Sequence, residues 1–216
     1  MDVQSGYDAV ASAYADRFRD ELGDKPFDTR MLDWLAERAG GVGPICDMGC
    51  GPGQVAAYLR AGGCDVCGVD LSGAMVRHAS RLNPGIPFEQ GDMRDLVDIA
   101  DATYGGIAAF YSFVNLPRTD HMQVFTELRR VLRLGGWLLL TFHVGDEVRH
   151  VDEFLGATVS LDFHFFTPRD VRDGLNSAGF DVVDVIEREP YAESVEAQTK
   201  RAYIFARITS RRAPTR

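Results

Sequence analysis

The stretch Asp47-Met48-Gly49-Cys50-Gly51-Pro52-Gly53-Gln54 constrains the fold more than any other part of this 216-residue chain. It follows the short apolar run Pro44-Ile45-Cys46 and precedes a helical pattern from Val55 to Ala61. It therefore reads as the tight turn from a buried first strand into a helix. Glycine lets main chain approach a ligand closely because no Cβ intervenes. The helix N-terminus behind the turn presents unpaired N–H groups. A dinucleotide turn wants Gly-x-Gly-x-x-Gly. Here Gly49 and Gly51 match, Gln54 takes the third glycine position, and Gly53 falls one residue early. No Gly-Lys-Ser/Thr follows, which excludes a P-loop.

Strand and helix patterns alternate around this turn. Strand 45–48 leads to helix 54–61, strand 64–69 to helix 73–82, and a third strand at 86–90 to a short helix at 94–99. Strand 104–110 leads to helix 119–133, and Trp137 to Phe142 is a clear strand. The alternation predicts a mostly parallel sheet covered on both faces, with right-handed crossovers. After residues 144–166, which show no clear crossover helix, come a helix from Pro168 to Ala178 capped by Gly179 and strands at 180–188 and 200–208. Their closeness predicts an antiparallel hairpin at the end of the sheet. Ahead of the first strand, helices at 7–21 and 27–39 are separated by Asp24-Lys25-Pro26.

Two carboxylates complete the nucleotide reading. Asp70 ends the second strand, where a carboxylate can accept both ribose hydroxyls. Asp92, in Gly91-Asp92-Met93, can accept from an adenine amino group with Met93 against the ring. The pair describes an adenosine without a phosphate partner, and the acidic lining suits a cationic cofactor.

On these residues the chain resembles the class I S-adenosylmethionine-dependent methyltransferases. Asp47 to Gly53 resembles the family's first motif, Val69-Asp70-Leu71-Ser72 its ribose segment, Gly91-Asp92-Met93 its adenine segment, and Val131 to Gly136 the turn before the fifth strand. Leu134 stands where the family usually has proline. The resemblance covers about residues 44–208. It implies an α/β, Rossmann-like seven-stranded sheet, mostly parallel with an antiparallel last strand, helices on both faces and an N-terminal helical lid. The chain divides accordingly within a single methyltransferase domain: 1–43 lid, 44–143 cofactor half, 144–166 substrate-lid insert, 167–208 terminal helix and hairpin. The implied cofactor is S-adenosylmethionine, leaving S-adenosylhomocysteine, with Tyr14, Asp47, Gly49, Cys50, Gly51, Asp70, Leu71, Met75, Asp92, Met93, Phe110 and Tyr111 around it. The turn would cradle its methionine end.

The implied reaction is methyl transfer to an O or N atom of a small-molecule metabolite. Tyr7, Tyr111, Asn115, His143 and Phe165 are the candidate acceptor residues. Tyr7-Asp8-Ala9-Val10-Ala11-Ser12-Ala13-Tyr14 looks like the family's lid opening, with Tyr14 on the cofactor and Tyr7 on the substrate side; the other reading is an amphipathic packing stripe. Phe154, Phe163, Phe165 and Phe166 either wall an apolar pocket or pack beneath the lid. A hydroxyl acceptor benefits from a base, for which His143 ranks ahead of His164 and His121; an amine needs none. His143 and Tyr14 are the catalytic candidates. A cofactor-binding protein without transfer activity and an NAD-dependent oxidoreductase are the competing readings.

The net charge of −9 argues against nucleic acid as a partner. The basic tail Arg211 to Arg216 reads as a frayed terminus. No apolar run approaches the roughly 20 residues of a membrane span, and no signal pattern opens the chain. A cytoplasmic monomer or homodimer acting on a small-molecule acceptor, without nucleic-acid or membrane partners, is expected. Cys64 and Cys67 have the spacing of a zinc pair, but Cys46 and Cys67 lie in apolar strand patterns, so reduced core thiols and no metal are expected.

Overall fold

The computed structural model describes residues 2–210. The tail from Arg211 to Arg216 lies outside the described residues. Helices α1 (Val3–Phe18) and α2 (Pro26–Ala39) precede β1 (Ile45–Met48), α3 (Gln54–Ala61), β2 (Val66–Asp70), α4 (Gly73–Leu82), β3 (Phe88–Gln90) and β4 (Tyr104–Phe110). There follow α5 (His121–Val131), β5 (Leu132–His143), β6 (Val148–Phe154), β7 (Ala157–His164), α6 (Pro168–Ser177), β8 (Asp181–Arg188) and β9 (Arg201–Arg207). Seven strands form one sheet in the order β3-β2-β1-β4-β5-β9-β8. All pairings from β3 to β5 are parallel, and β9 is antiparallel to both its neighbours. The α/β fold with an antiparallel last strand is therefore as expected. β9 slots between β5 and β8, which sets Arg201 directly opposite His143.

Alternation along the central strands builds two cores. Ile107, Ala109, Leu138, Leu140 and Ile204 face α5 and α6, where Phe125, Leu128, Val171 and Leu175 are buried. Their neighbours Ala108, Leu139, Tyr203 and Phe205 face α2 and α3, meeting Leu32, Leu35, Ala56 and Leu59. Side chains two apart share a face, so each strand serves both layers. A third cluster joins α1, α4 and β7 through Val10, Ala11, Met75, Val159 and Leu161.

Some elements depart from expectation. Residues 94–99 form turns, not a helix. The Asp95 N–H donates to the Asp92 carbonyl at 2.9 Å and the Ile99 N–H to the Leu96 carbonyl at 2.8 Å, so bonds three residues apart close separate turns in place of helical ones. The segment 144–166 folds as a β6–β7 hairpin. Its turn residues Leu155 and Gly156 have φ of 50° and 79°. A two-residue hairpin turn wants both central residues at positive φ, and Leu-Gly does not advertise this as Asn-Gly would. α5 starts at His121 after a 3₁₀ turn, and β5 takes up Leu132.

Candidate functional site

The glycine turn is held from below. The N–H groups of Gly49 and Cys50 both donate to the Val69 carbonyl, at 2.7 and 3.0 Å, and the Ser112 hydroxyl donates to the Met48 carbonyl. Gly49 and Gly51 have φ of 76° and 52°, which only glycine adopts without penalty. Their surroundings differ. A Cβ on Gly49 would fall on the Ser112 side chain. A Cβ on Gly51 would make only ordinary van der Waals contacts, with Tyr14 Cε1 at 3.7 Å and Gln54 Oε1 at 4.0 Å, beside the cavity that Gly51 lines. Gly49 is thus glycine for the protein's own packing, whereas Gly51 has room for a Cβ on the cavity wall.

Asp47 does not reach that space. It is 1% exposed and accepts from the Ala56 N–H at 3.0 Å, capping α3 from beneath. Burial pushes its carboxyl up to about 8, against the opposing effect of the Ala56 hydrogen bond. Asp70 links the turn to the next strand: it accepts from Gly51 N–H and Ser72 N–H, each at 2.8 Å. Burial raises its pKa, and these N–H groups oppose the rise.

A cavity of about 590 Å³ opens over the turn at the carboxyl ends of β1, β2, β4 and β5. Gly49, Cys50, Gly51, Asp70, Leu71 and Met75 line one end. Asp92 and Met93 lie further along the same wall. Arg94 bonds both Asp92 oxygens through Nε and Nη2, at 2.7 to 3.0 Å, and reaches Asp120 through Nη1. Burial pushes Asp92 up, but these bonds outweigh it and hold the carboxyl below its usual range. Asp92 therefore faces the cavity with its oxygens already engaged.

α1 and the β6–β7 hairpin roof the cavity. Gly6 permits their crossing, since a Cβ there would lie 2.8 Å from Leu161 Cδ2. Tyr7 donates to Asn115 Oδ1 at 2.8 Å, and Asn115 Nδ2 donates to the Asp162 carbonyl at 2.9 Å. Helix, hairpin and the segment after β4 are thereby tied together. Asp8 accepts from the Ser72 hydroxyl and, at 3.0 Å, from the Ala74 N–H. One residue, Ser72, thus joins the roof to Asp70. Tyr14 packs between Phe18 and Phe154, with ring centroids at 4.5 and 6.3 Å. Burial raises the hydroxyls of Tyr7 and Tyr14 above the usual phenol range.

The other end of the cavity is lined by Phe110, Tyr111, Asn115, His143, Glu196 and Arg201. Tyr111 takes a left-handed φ of 54°, a strained conformation for a bulky residue. Its N–H donates to Thr141 Oγ1 at 2.8 Å, and its hydroxyl lies 3.0 Å from that of Tyr203. His143 sits between the rings of Tyr111 and Phe165, 5.4 Å from each, with Nδ1 2.7 Å from Thr199 Oγ1. Burial, then the nearby Arg201 charge, lower its pKa to about 4, so it is neutral near pH 7. Phe165 backs His143 and does not line the cavity.

Neither other histidine reaches this space. His164 stacks on Phe166. His121 lies against Phe113 and Phe166 at a separate crevice of about 240 Å³, and burial lowers its pKa to about 4.

Several wall residues escape sequence reasoning. Glu21, Lys25, Glu193, Val195, Glu196 and Ala197 all line the cavity. So does part of a buried ion cluster. Arg188 bonds Asp28 at 2.8 Å and Glu196 through two bonds at 2.5 and 3.1 Å, while Tyr203 donates to Asp28 at 3.1 Å. Asp28 is far in sequence from Arg188 and Tyr203, and the nearer Arg188–Glu196 pair has no helical or strand spacing to mark it. The one available signal is an excess of charge in a segment expected to form core strands. The four cysteines are free, and among the described residues no group of His, Cys, Asp and Glu is placed to hold a metal. Among those residues, no helix is long and apolar enough to cross a membrane.

The fold and site define a doubly wound α/β protein with a glycine turn beneath a cavity and no phosphate-binding motif. Residues 45–136 match the family model described as a methyltransferase domain. The chain is 32% identical over 105 residues to malonyl-[acyl-carrier protein] O-methyltransferase of Enterobacter lignolyticus, covering 48% of this chain and 40% of that one. It is 29% identical over 151 residues to a putative methyltransferase, YqeM, of Bacillus subtilis, covering 67% and 58%. The chain thus spans about half the length of these relatives. Its fold resembles a solved S-adenosylmethionine-dependent methyltransferase of Methanosarcina mazei, with a TM-score of 0.71 at 16% identity, covering 82% of this chain and 98% of that one. Residues 45–136 are thus similar to a methyltransferase domain.

Proposed function

We propose that this chain transfers a methyl group from S-adenosylmethionine to an O or N atom of a small-molecule acceptor. The observation that carries this reading is the Gly51 cradle. It opens into a roofed cavity, has Asp70 bonded to its main chain, and is flanked by Leu71, Met75 and Met93. Bound there, the cofactor supplies an electrophilic methyl on a sulfonium. The remaining lone pairs of Asp70 suit a ribose diol, while Leu71, Met75 and Met93 offer apolar walls to a flat base. Asp92, engaged by Arg94, contributes mainly negative potential and shape at that end. Asp47 acts indirectly, by fixing the start of α3 beneath the turn.

Transfer requires the acceptor, methyl and sulfur in line, with water kept out. The Tyr7–Asn115–Asp162 tie and the Asp8–Ser72 contact hold the roof down over that line. Tyr14, Phe18 and Phe154 turn aromatic surface toward the cavity, where ring faces favour a cation. Tyr111, strained and buttressed by Thr141, positions the acceptor end against the turn. His143 is too acidic as an imidazolium to hold a proton near pH 7, so its expected role is to shape and hydrogen-bond.

Calorimetric titration with S-adenosylhomocysteine, together with transfer of labelled methyl into a metabolite extract, tests the proposal. Submicromolar binding and a labelled small product are expected. Binding without any transfer would favour a cofactor-binding protein, and tight nicotinamide binding in its place would favour an oxidoreductase.

A further inference from the structure

Arg201 stands apart from the other charged groups of the cavity. Its residue is 3% exposed, and it lines the acceptor end. Nη1 is satisfied by the Thr199 carbonyl and hydroxyl and by the Ala197 carbonyl. Nε is a buried donor with no hydrogen bond. Glu196 Oε2 lies 3.2 Å from it, close enough for ion pairing but off the line of the N–H bond. Glu196 is already committed, accepting two bonds from Arg188 and one from the Tyr191 N–H at 2.7 Å. Lys25, the other cation at this end, bonds Glu21. Glu193 lies exposed at the lip. Nη2 likewise makes no hydrogen bond within the protein and, unlike Nε, is accessible, so it is the donor that Arg201 turns to the cavity it lines, and no protein acceptor meets it there.

The same end offers only a weak base: His143 Nε2 is left open, but burial and the Arg201 charge lower its pKa to about 4. The Tyr7 and Tyr111 hydroxyls are hydrogen-bonded and pushed up by burial. The His143 ring, across the strand pair from Arg201, is wedged between two aromatic rings with Nδ1 engaged by Thr199. The acceptor must therefore arrive as a ready nucleophile. A carboxylate meets both conditions, being ionised at neutral pH and matching the geometry of a guanidinium edge.

Resting on the methyltransferase reading above, we infer that the acceptor is a carboxylic acid, held through its carboxylate by Arg201 and methylated on a carboxylate oxygen. One oxygen lone pair attacks the methyl carbon as the methyl–sulfur bond breaks, and that bonding pair stays on sulfur. The sulfonium becomes a neutral thioether, the carboxylate becomes a neutral methyl ester, and no proton moves. Loss of the anionic charge weakens the contact with Arg201, which favours release of the ester.

The test uses the whole chain with S-adenosylmethionine carrying a tritiated methyl group. Acceptors are short- and medium-chain mono- and dicarboxylic acids, their primary amides and alcohols, and a metabolite extract. Alkali hydrolyses a methyl ester and releases volatile labelled methanol, whereas methyl ethers and N-methyl groups stay intact. Alkali-labile volatile label from the acids and the extract is expected, with none from amides or alcohols. Arg201→Lys should raise KM for the acid about ten- to hundredfold, the size of a lost charge-assisted bond, with affinity for S-adenosylhomocysteine unchanged. Should that variant fail to fold, the wild-type complex with S-adenosylhomocysteine supplies the second measure: the acid must bind at least about tenfold tighter than its amide. Alkali-stable product overturns the carboxylate inference and leaves the methyltransferase reading standing. An unchanged KM in folded Arg201→Lys, or equal binding of acid and amide, overturns the role of Arg201. Absence of any labelled product despite tight S-adenosylhomocysteine binding overturns the transferase reading and this inference with it.

Discussion

Replacing Gly49 and Gly51 by alanine, one at a time, separates packing from ligand binding within a single turn. Both glycines have positive φ, so each alanine carries a left-handed penalty of about 1–2 kcal/mol. At Gly49 the new methyl also lands on Ser112, whose hydroxyl anchors the end of β1. Overpacking of this kind adds about 1–3 kcal/mol. Gly49→Ala should therefore lose about 2–5 kcal/mol of unfolding free energy, and Gly51→Ala only about 1–2 kcal/mol. Binding should rank differently. The Gly51 methyl meets no protein atom nearer than 3.7 Å and enters the space assigned to the cofactor. Folded Gly51→Ala should then bind S-adenosylhomocysteine at least about tenfold more weakly, a loss of ~1.4 kcal/mol or more. Urea unfolding supplies the first comparison and calorimetry the second. An unchanged Kd in Gly51→Ala would refute the cradle, and wild-type stability in Gly49→Ala would refute the packing account.

Three further outcomes follow from the hydrogen bonds and titrations at the site. Asp47 keeps its proton in the native state up to about pH 8, whereas the unfolded chain loses it near 3.8. The native state then binds more protons across that window, so stability falls as pH rises, by up to about 1.4 kcal/mol per unit. Asp47→Asn retains an oxygen for the Ala56 N–H, and in cofactor-free protein its advantage over wild type should grow by about 2–3 kcal/mol between pH 5 and 7; a constant difference in denaturant titrations would mean the native carboxyl is ionised. Asp8→Ala removes the bonds to Ser72 and Ala74 and should cost about 1–2 kcal/mol while speeding S-adenosylhomocysteine dissociation in stopped flow; an unchanged off-rate would mean the Tyr7–Asn115 tie alone holds the roof. Because burial keeps the imidazole of His143 near 4, kcat should show no limb between pH 6 and 7; such a limb, abolished in His143→Gln, would restore it as a base.

What was legible in the sequence was local. The turn, the strand-end Asp70 and the helix–strand alternation each lie within about one turn and its flanks, where glycine placement and periodicity report directly on backbone geometry. The same locality explains the misses. Residues 94–99 have helix-compatible composition, but the Leu96 and Ile99 carbonyls are taken by Arg130, which is distant in sequence. The 144–166 hairpin turns on Leu155 at positive φ, a conformation its side chain disfavours. Asp47 and Gly49 were correctly placed at the turn, yet sequence spacing alone does not distinguish a residue facing the ligand from one packed against Ser112 or capping α3.

The acceptor end depends instead on topology. Because β9 enters between β5 and β8, Arg201 is drawn beside His143 and close to Tyr111, while Arg188 on β8 reaches Asp28 on α2 and Glu196 in the connecting loop. The buried charges of that cluster are matched, two acids against two arginines, and a matched cluster of this kind is usually read as structural. The hydrogen-bond accounting distinguishes its members. Arg188 spends its donors inside the protein, on Asp28, Glu196, Tyr203 and the Glu189 carbonyl. Arg201 does not, and it is the one that meets the cavity. On the proposed reading, its placement away from Asp70 divides the cavity into an adenosine half at Asp70 and an acceptor half at Arg201, with Tyr111 beside the latter.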